Sequence, residues 1–530
     1  MARTVAADPN PDPELVAAGE SLLAARARGD LDALAETIDR WGVDLAHSPF
    51  ATALYDVAAE LPLDLSAARP GLAFRFEDIG RLPIGTTPLG LPPTHKEARA
   101  EFASNGDLRL RQALLPLTTR RRLGRFDEAM AIVRAATPLA EASVYPWYGD
   151  RSQILPYWYL QAGITAQVAG DLGVARRFFL NAWTHRDRDP YGFVARGTAG
   201  KLAQHDALAG DLASSATWLE RALDQGRRAD LWVDHFVESN LTTTSTIHAI
   251  DALDPQVDTH LHATLHPSQR SEQWVIFLWV FVQHALTYGD TASALGYLED
   301  AVQARPPELI RAGLAAGVVP LVRAEIHLAM GQAHRALADI EDAPDVAGMT
   351  RTLRARTLLL ADQAPAALLE VEALGSVAGT SRRARTESLL VATAAHLAVG
   401  DREAAVESAR RAVVQVQEGH APRLLATVPR TALDELAPDV PGLGPLLALV
   451  DERGVRDIYP ADVQLISVTE RERELLHDLG SDRTLAEIAD DNYVSVNTVR
   501  THLASLRRKL DARSRGEVLA RARQLGLLDQ

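Results

Sequence analysis

Cysteine is missing from all 530 residues, which excludes a disulfide framework and any thiolate-held metal. Lysine is nearly missing: Lys96, Lys201 and Lys509 stand among 55 basic residues, a compositional bias to which no function attaches. Long apolar runs are lacking as well. The longest, Trp274 to Val282, breaks at Gln283, far short of the roughly 20 residues that a spanning helix needs. The opening residues, Met1 to Pro9, have no apolar core of a secretory signal. A cytoplasmic protein of several domains is expected from these absences and from the length.

Enzymatic constellations are lacking too. The nearest approach to a phosphate-binding loop is Ala195 to Leu202, where Ala195 replaces the first glycine and Leu202 the magnesium-holding hydroxyl. His260, His262 and His266 lie beside Asp258 at a spacing where two imidazoles could share a metal. The stretch is proline-flanked, so solvated loop histidines are the plainer expectation. No nucleophile, base and orienter form a usable set. No enzyme activity, no cofactor and no metal are expected.

The net charge of -15 argues at first against a nucleic-acid partner. Its distribution reverses that. Between Ser495 and Arg523 eight basic residues stand against two acids, and a field screened over about 10 Å is set by the local patch. The acidic remainder should suppress non-specific binding by the rest of the chain.

That basic patch lies in four closely spaced helix starts. Thr469–Glu472, Thr484–Glu487 and Ser514–Glu517 each have the Ser/Thr-x-x-Glu capping-box pattern, and Ser495 supplies a further N-cap. A short turn separates the second and third helices, the helix-turn-helix plan. In the third, Val496, Val499, Leu503, Leu506 and Leu510 recur every three or four residues and form an inward stripe. The opposite face presents Asn497, Arg500, Thr501, Ala504, Arg507 and Arg508. Arginine can bridge guanine and asparagine adenine in a major groove. Arg507-Arg508-Lys509 suits phosphate oxygens, which fix register without reading sequence.

These residues, with Val468-Thr469-Glu470-Arg471-Glu472, Glu487-Ile488-Ala489, Val494 to Leu503, Arg508-Lys509-Leu510 and Ser514-Arg515, resemble the LuxR-type helix-turn-helix domain over about the last sixty-five positions. The resemblance implies a bacterial, sequence-specific transcription regulator that binds double-stranded operator DNA, with RNA polymerase as a partner. It implies base contacts from Asn497, Arg500, Thr501 and Ala504, and backbone contacts from Thr498, Arg507, Arg508 and Lys509, with Thr484 and Ser495 completing the set. It also implies a homodimer formed through the fourth helix, here Ser514 to Leu525. Three positions depart from the common pattern. The loop Gly480 to Arg483 is longer, Asn492 stands where leucine is usual, and Ala504 is shorter than the reaching side chain often found there.

Ahead of this unit a helical array is expected. Gly-x-x-x-x-Ala recurs at Gly124/Ala129, Gly170/Ala175, Gly289/Ala294, Gly331/Ala336 and Gly400/Ala405, with a weaker copy at Ala361/Ala366 and a longer one at Gly210/Ala216. Glycine ends one helix with positive φ, and the small residue lets the next pack closely. The widest gap, 79 positions between Gly210 and Gly289, predicts a degenerate unit near Ile247 to Leu253. Such periods indicate a helix-hairpin solenoid, and the units resemble tetratricopeptide repeats without their full signature.

Nearer the start, Pro13 to Ala27 and Leu31 to Leu45 look helical, and Arg69 to Pro93 looks like a loop rich in proline and glycine. The aromatics Tyr145, Trp147, Tyr148, Tyr157, Trp158 and Tyr159, with Trp232, Trp274 and Trp279, fit a solenoid core better than an effector pocket. The expected organisation is all-α. Residues 1–105 form a helical N-terminal region, 106–452 a tetratricopeptide-like solenoid, 453–466 a linker, and 467–530 the LuxR-type helix-turn-helix domain. The solenoid would sense a small-molecule or protein effector. The alternative is a protein-interaction scaffold whose terminal domain does not bind DNA.

Overall fold

Each repeat turns on one residue in the left-handed region. At Gly124, Gly170, Gly210, Gly289, Gly331 and Gly400 φ lies between 72° and 90°. At the second of these, Gly170 N donates to Gln167 O and Asp171 N to Ala166 O, which closes the helix C-terminus in a Schellman turn. The next residue then opens the following helix: Asp171, Asp211, Asp290 and Asp401 each accept the backbone N–H three positions on.

The computed structural model describes residues 13–45, 106–142, 154–189, 193–226, 234–266, 268–269, 271–377, 379–466, 468–481 and 483–528, with a few positions between 50 and 57. Within them the fold is all-helical. Helices α1 (Pro13–Arg28) and α2 (Leu31–Leu45) form an antiparallel pair. Eight further hairpins follow. They are α3/α4 (Gly106–Arg122, Phe126–Ala142), α5/α6 (Ile154–Val168, Leu172–Thr184), α7/α8 (Phe193–Leu208, Leu212–Asp224) and α9/α10 (Asp234–Ala252, Val257–Ala263). Then come α11/α12 (Trp274–Thr287, Thr291–Gln303), α13/α14 (Gly313–Ala329, Ala333–Asp339), α15/α16 (Met349–Leu360, Ala364–Gly375) and α17/α18 (Arg382–Ala398, Arg402–Glu418). The first helix of each hairpin packs on the first helix of the next, the connectivity of a solenoid.

The small positions behave as the spacing requires, with three adjustments. Ala129, Ala175, Ala294, Ala336 and Ala405 are fully buried. In the copy read as Ala361/Ala366, Asp362 takes the left-handed turn (φ 58°) and Ala367 is the buried residue, so the unit sits one position later. After Gly210 the buried position is Ser215 rather than Ala216; its hydroxyl donates to Ala203 O (2.7 Å) and the spacing is regular. The degenerate unit is the hairpin α9/α10, turning at Leu253 with φ 56°.

The array curls back on itself. A Cβ on Gly210 would lie 2.7 Å from Arg383 N, and that amide donates to Ala209 O (2.8 Å). Inside the curl runs a buried polar network. Arg383 grips Asp251 through both Nη atoms (3.0 and 2.5 Å), Arg356 donates to Glu387 (2.6 Å), and Gln283 to Glu325 (2.7 Å). A 3₁₀ segment, Pro422–Thr427, fills the same space; its Arg423 donates to Thr287 Oγ1 and Gln283 Oε1. Helices α19 (Arg430–Leu436) and α20 (Leu443–Glu452) complete this part. Beyond them Val455, Ile458, Tyr459 and Val463 are buried in the array's core, so the stretch 453–466 is packed against the repeats.

Trp158 and Tyr159 on α5 and Trp274 and Trp279 on α11 are core residues, and Tyr157 is half-buried. Tyr145, Trp147, Tyr148, Trp232 and the stretch 69–93 lie outside the described residues. Ala195 to Leu202 lies inside α7 and is wholly buried. Two of the three histidines are not on a loop: His260 and His262 sit two apart on α10, while His266 lies in the segment after it and packs edge-on against Phe281 and Tyr297. Among the described residues no three such side chains converge as metal ligands, and no helix is long and apolar enough to cross a membrane.

Candidate nucleic-acid interface

Four short helices close the chain: α21 (Glu470–Gly480), α22 (Leu485–Asp491), α23 (Val496–Lys509) and α24 (Arg515–Gln524). Their starts are fixed by local hydrogen bonds. Thr469 with Glu472 and Thr484 with Glu487 each form a complete capping box. Ser495 Oγ accepts from Thr498 N (3.1 Å). At Ser514 half the expected box forms. The hydroxyl accepts from Glu517 N, but the Glu517 carboxylate turns to Arg513 N (2.6 Å).

The turn between α22 and α23 is a Schellman closure. Tyr493 N donates to Asp490 O and Val494 N to Ala489 O. Tyr493 holds the left-handed position (φ 51°) where glycine is favoured. Asn492, replacing leucine, donates through Nδ2 to Asp478 Oδ2 (2.8 Å) and Ile488 O (2.9 Å), so two hydrogen bonds stand where an apolar contact would be. The longer loop is tied down by Arg515, which donates to Arg483 O and Leu479 O (2.6 and 2.7 Å).

Val499, Leu503, Leu506 and Leu510 are buried with Leu475, Leu476, Leu479 and Ile488, and this core fixes the rotation of α23. The opposite face is open. Asn497, Thr498, Arg500, Thr501, Ala504 and Arg508 are all exposed. The Thr501 hydroxyl bonds back to Asn497 O (2.9 Å), and the Ser495 and Thr498 hydroxyls lie 2.8 Å apart. Arg507 is half-buried, and its Nε is enclosed without a hydrogen-bond partner among the described residues. Thr484 is exposed at the start of α22 with its hydroxyl on Glu487.

Lys509 departs from the pattern of its neighbours. Its ammonium donates to Glu472 Oε2 (2.7 Å) across the bundle. Burial alone would push the Glu472 carboxyl up. Donations from Lys509, from the Thr469 amide and hydroxyl and from the Ser505 hydroxyl outweigh that and hold it at about 2. Lys509 therefore pins α23 to α21. Two features escaped the sequence reading: this cross-bundle link, and Tyr493, which is 96% exposed beside the start of α23.

The domain is mounted on α14. His334 Nε2 accepts from Ile466 N (2.8 Å), Arg335 donates to Leu528 O, and Gly526 lies against the Arg335 side chain. These contacts use Ile466 ahead of the domain and the residues just after α24. They leave the polar face of α23 uncovered.

Residues 467–522 match the family model described as bacterial regulatory proteins, luxR family. Over 62 residues the chain is 34% identical to the spore germination protein GerE of Bacillus subtilis (strain 168), covering 12% of this chain and 84% of that relative. The helical array lies outside the residues that match the family model.

Proposed function

Given that the chain belongs to the luxR family of bacterial regulatory proteins and is a DNA-binding transcription regulator, we propose that α23 enters the major groove of an operator. Asn497 and Arg500 read base edges there, with Thr501 and Ala504 as their close-packed neighbours. Thr498, Ser495, Thr484, Arg507 and Arg508 meet phosphates, and Lys509 acts chiefly by holding α23 in place. The observation that carries this reading is the exposed polar face of α23 set opposite an apolar stripe that is buried from Val499 to Leu510.

Two further elements belong to the proposal. The outer face of α24, with Glu517, Ala520, Arg521 and Gln524 exposed, pairs with its counterpart in a second copy on DNA. The helical array senses an effector, and its α14 hairpin passes the change to the DNA-binding unit through His334 and Arg335. RNA polymerase is the partner on which the bound regulator acts.

Selection of random duplex DNA on the purified chain tests this. A recovered consensus that loses one base preference on Arg500→Ala supports it. No enrichment at low salt would favour the scaffold alternative.

A further inference from the structure

The inner helices of the array bury one ammonium that no carboxylate pairs with among the described residues. Lys201 on α7 is 2% exposed, and among the described residues its ammonium donates only long bonds, to Gln167 Oε1 (3.4 Å) and Gln204 Oε1 (3.3 Å). Burial pushes its pKa well down, Arg121 adds to that, and Glu272 opposes it. Arg121 on α3, 5% exposed, donates to Glu272 Oε1 (3.2 Å), Gln161 Oε1 (3.0 Å) and Thr165 Oγ1 (3.2 Å). Arg122 approaches the same carboxylate at 3.6 Å. Burial would raise Glu272, but the two arginines hold it ionised below the ordinary carboxylate value.

Across a gap from Arg121 lies Arg305. It stacks over the Trp274 ring at 4.3 Å and donates to two backbone carbonyls, Ala301 O (3.0 Å) and Gln269 O (2.7 Å). No carboxylate pairs with it among the described residues, and burial pushes its pKa down to about 10. A guanidinium taken partly out of water without a counter-ion is costly.

The gap is a cavity of about 390 Å³, with Arg121, Arg122, Arg305, Glu272, Ser268 and Ser271 on its polar side, the Glu272 carboxylate being already engaged by Arg121 and Arg122. Phe126, Val168, Leu309 and Leu314 form an apolar side. Its size falls in the range of small-molecule sites, about 300–1,000 Å³. Its walls come from the hairpins α3/α4, α5/α6 and α11/α12 and from the start of α13, so an occupant would tie together parts of the solenoid far apart in sequence.

We propose that this cavity binds a small organic carboxylate with an apolar body. The carboxylate sits against Arg305 and the Arg121 edge, and the tail lies along Phe126, Leu309 and Leu314. The apolar wall favours such an amphipathic monoanion over a bare phosphate. As an effector site the cavity rests on the sensing role proposed for the array; as a binding site it stands alone.

Calorimetric titration of the full chain with octanoate, phenylacetate, octanol and inorganic phosphate tests it. One or both carboxylates should bind saturably, with octanol and phosphate at least roughly tenfold weaker. Arg305→Gln should cost at least roughly tenfold in carboxylate affinity, the scale of one charge-assisted contact, with the circular dichroism spectrum unchanged. Leu309→Trp, which fills the cavity, should remove binding. Heat from neither carboxylate, equal affinity in Arg305→Gln, or phosphate binding as tightly as the carboxylates would each overturn the proposal. The same carboxylate is then added to a DNA titration. Binding without any change in DNA affinity would sink the sensing role and leave the site intact.

Discussion

Glu472→Ala should loosen the DNA-binding unit far more than its place on a surface helix suggests. Its carboxylate closes the capping box of α21 and holds Lys509 and Ser505 of α23. Losing the box costs about 1 kcal/mol. Leaving a partly buried ammonium without its charged acceptor costs about 1.5–3 kcal/mol more. The same contacts lower the carboxyl from 4.5 to about 2, worth about 3 kcal/mol at ~1.36 kcal/mol per pH unit. A carboxyl held below its unfolded value stabilises the fold fully above that value, near pH 4.5, and the stabilisation disappears as pH falls toward 2. Amide hydrogen exchange at Leu476 and Leu506 in the intact chain isolates this unit from the array. At pH 6 both amides should lose protection by about 2–4 kcal/mol in Glu472→Ala, and the difference from wild type should shrink below pH 4.5. Protection unchanged within about 0.5 kcal/mol would refute the cross-bundle link.

Tyr493→Gly should stabilise the unit by about 1 kcal/mol, because glycine adopts the left-handed turn without strain. If the exposed ring lies along the DNA backbone, the same change should weaken operator binding, a split that thermal melts and DNA titration read separately. Glu325→Gln should stabilise the array at pH 8 by up to about 3 kcal/mol, since burial raises this carboxyl to about 7 and folding is penalised once it ionises. The gain should vanish near pH 4.5, which denaturant midpoints at the two pH values would show. Burial, helped by Arg473, keeps His334 below the ordinary histidine value as it accepts from Ile466 N. That contact is complete above about pH 6.5 and fails as pH falls, so proteolysis near Ile466 should speed up between pH 7 and 5, and not in His334→Gln.

What could be read in the sequence was local. The N-caps at Thr469, Thr484 and Ser495 depend on residues three apart, and the stripe from Val499 to Leu510 on a single helix. The turns were legible where glycine marked them. Where Leu253, Asp362 or Tyr493 adopts the left-handed backbone, a turn nearby could be read but not the residue that makes it, because nothing in those side chains signals it. Long-range links left no trace in spacing. Arg383 and Asp251 are 132 positions apart, and Arg335 and Leu528 are 193 apart. The stretch 453–466 looked like a linker because its buried residues, Val455, Ile458, Tyr459 and Val463, follow neither a helix nor a strand period.

The exposed face of α23 is proposed to touch bases at one end and phosphates at the other. Fluorescence anisotropy of a selected duplex, titrated across a salt series with wild type, Arg500→Ala and Arg508→Ala, tests it most directly. Arg500→Ala should cost about 1–3 kcal/mol on the selected duplex and much less on random DNA. Arg508→Ala should weaken both alike and lower the salt slope by about 1. Equal losses from both substitutions on both duplexes, or none, would contradict it.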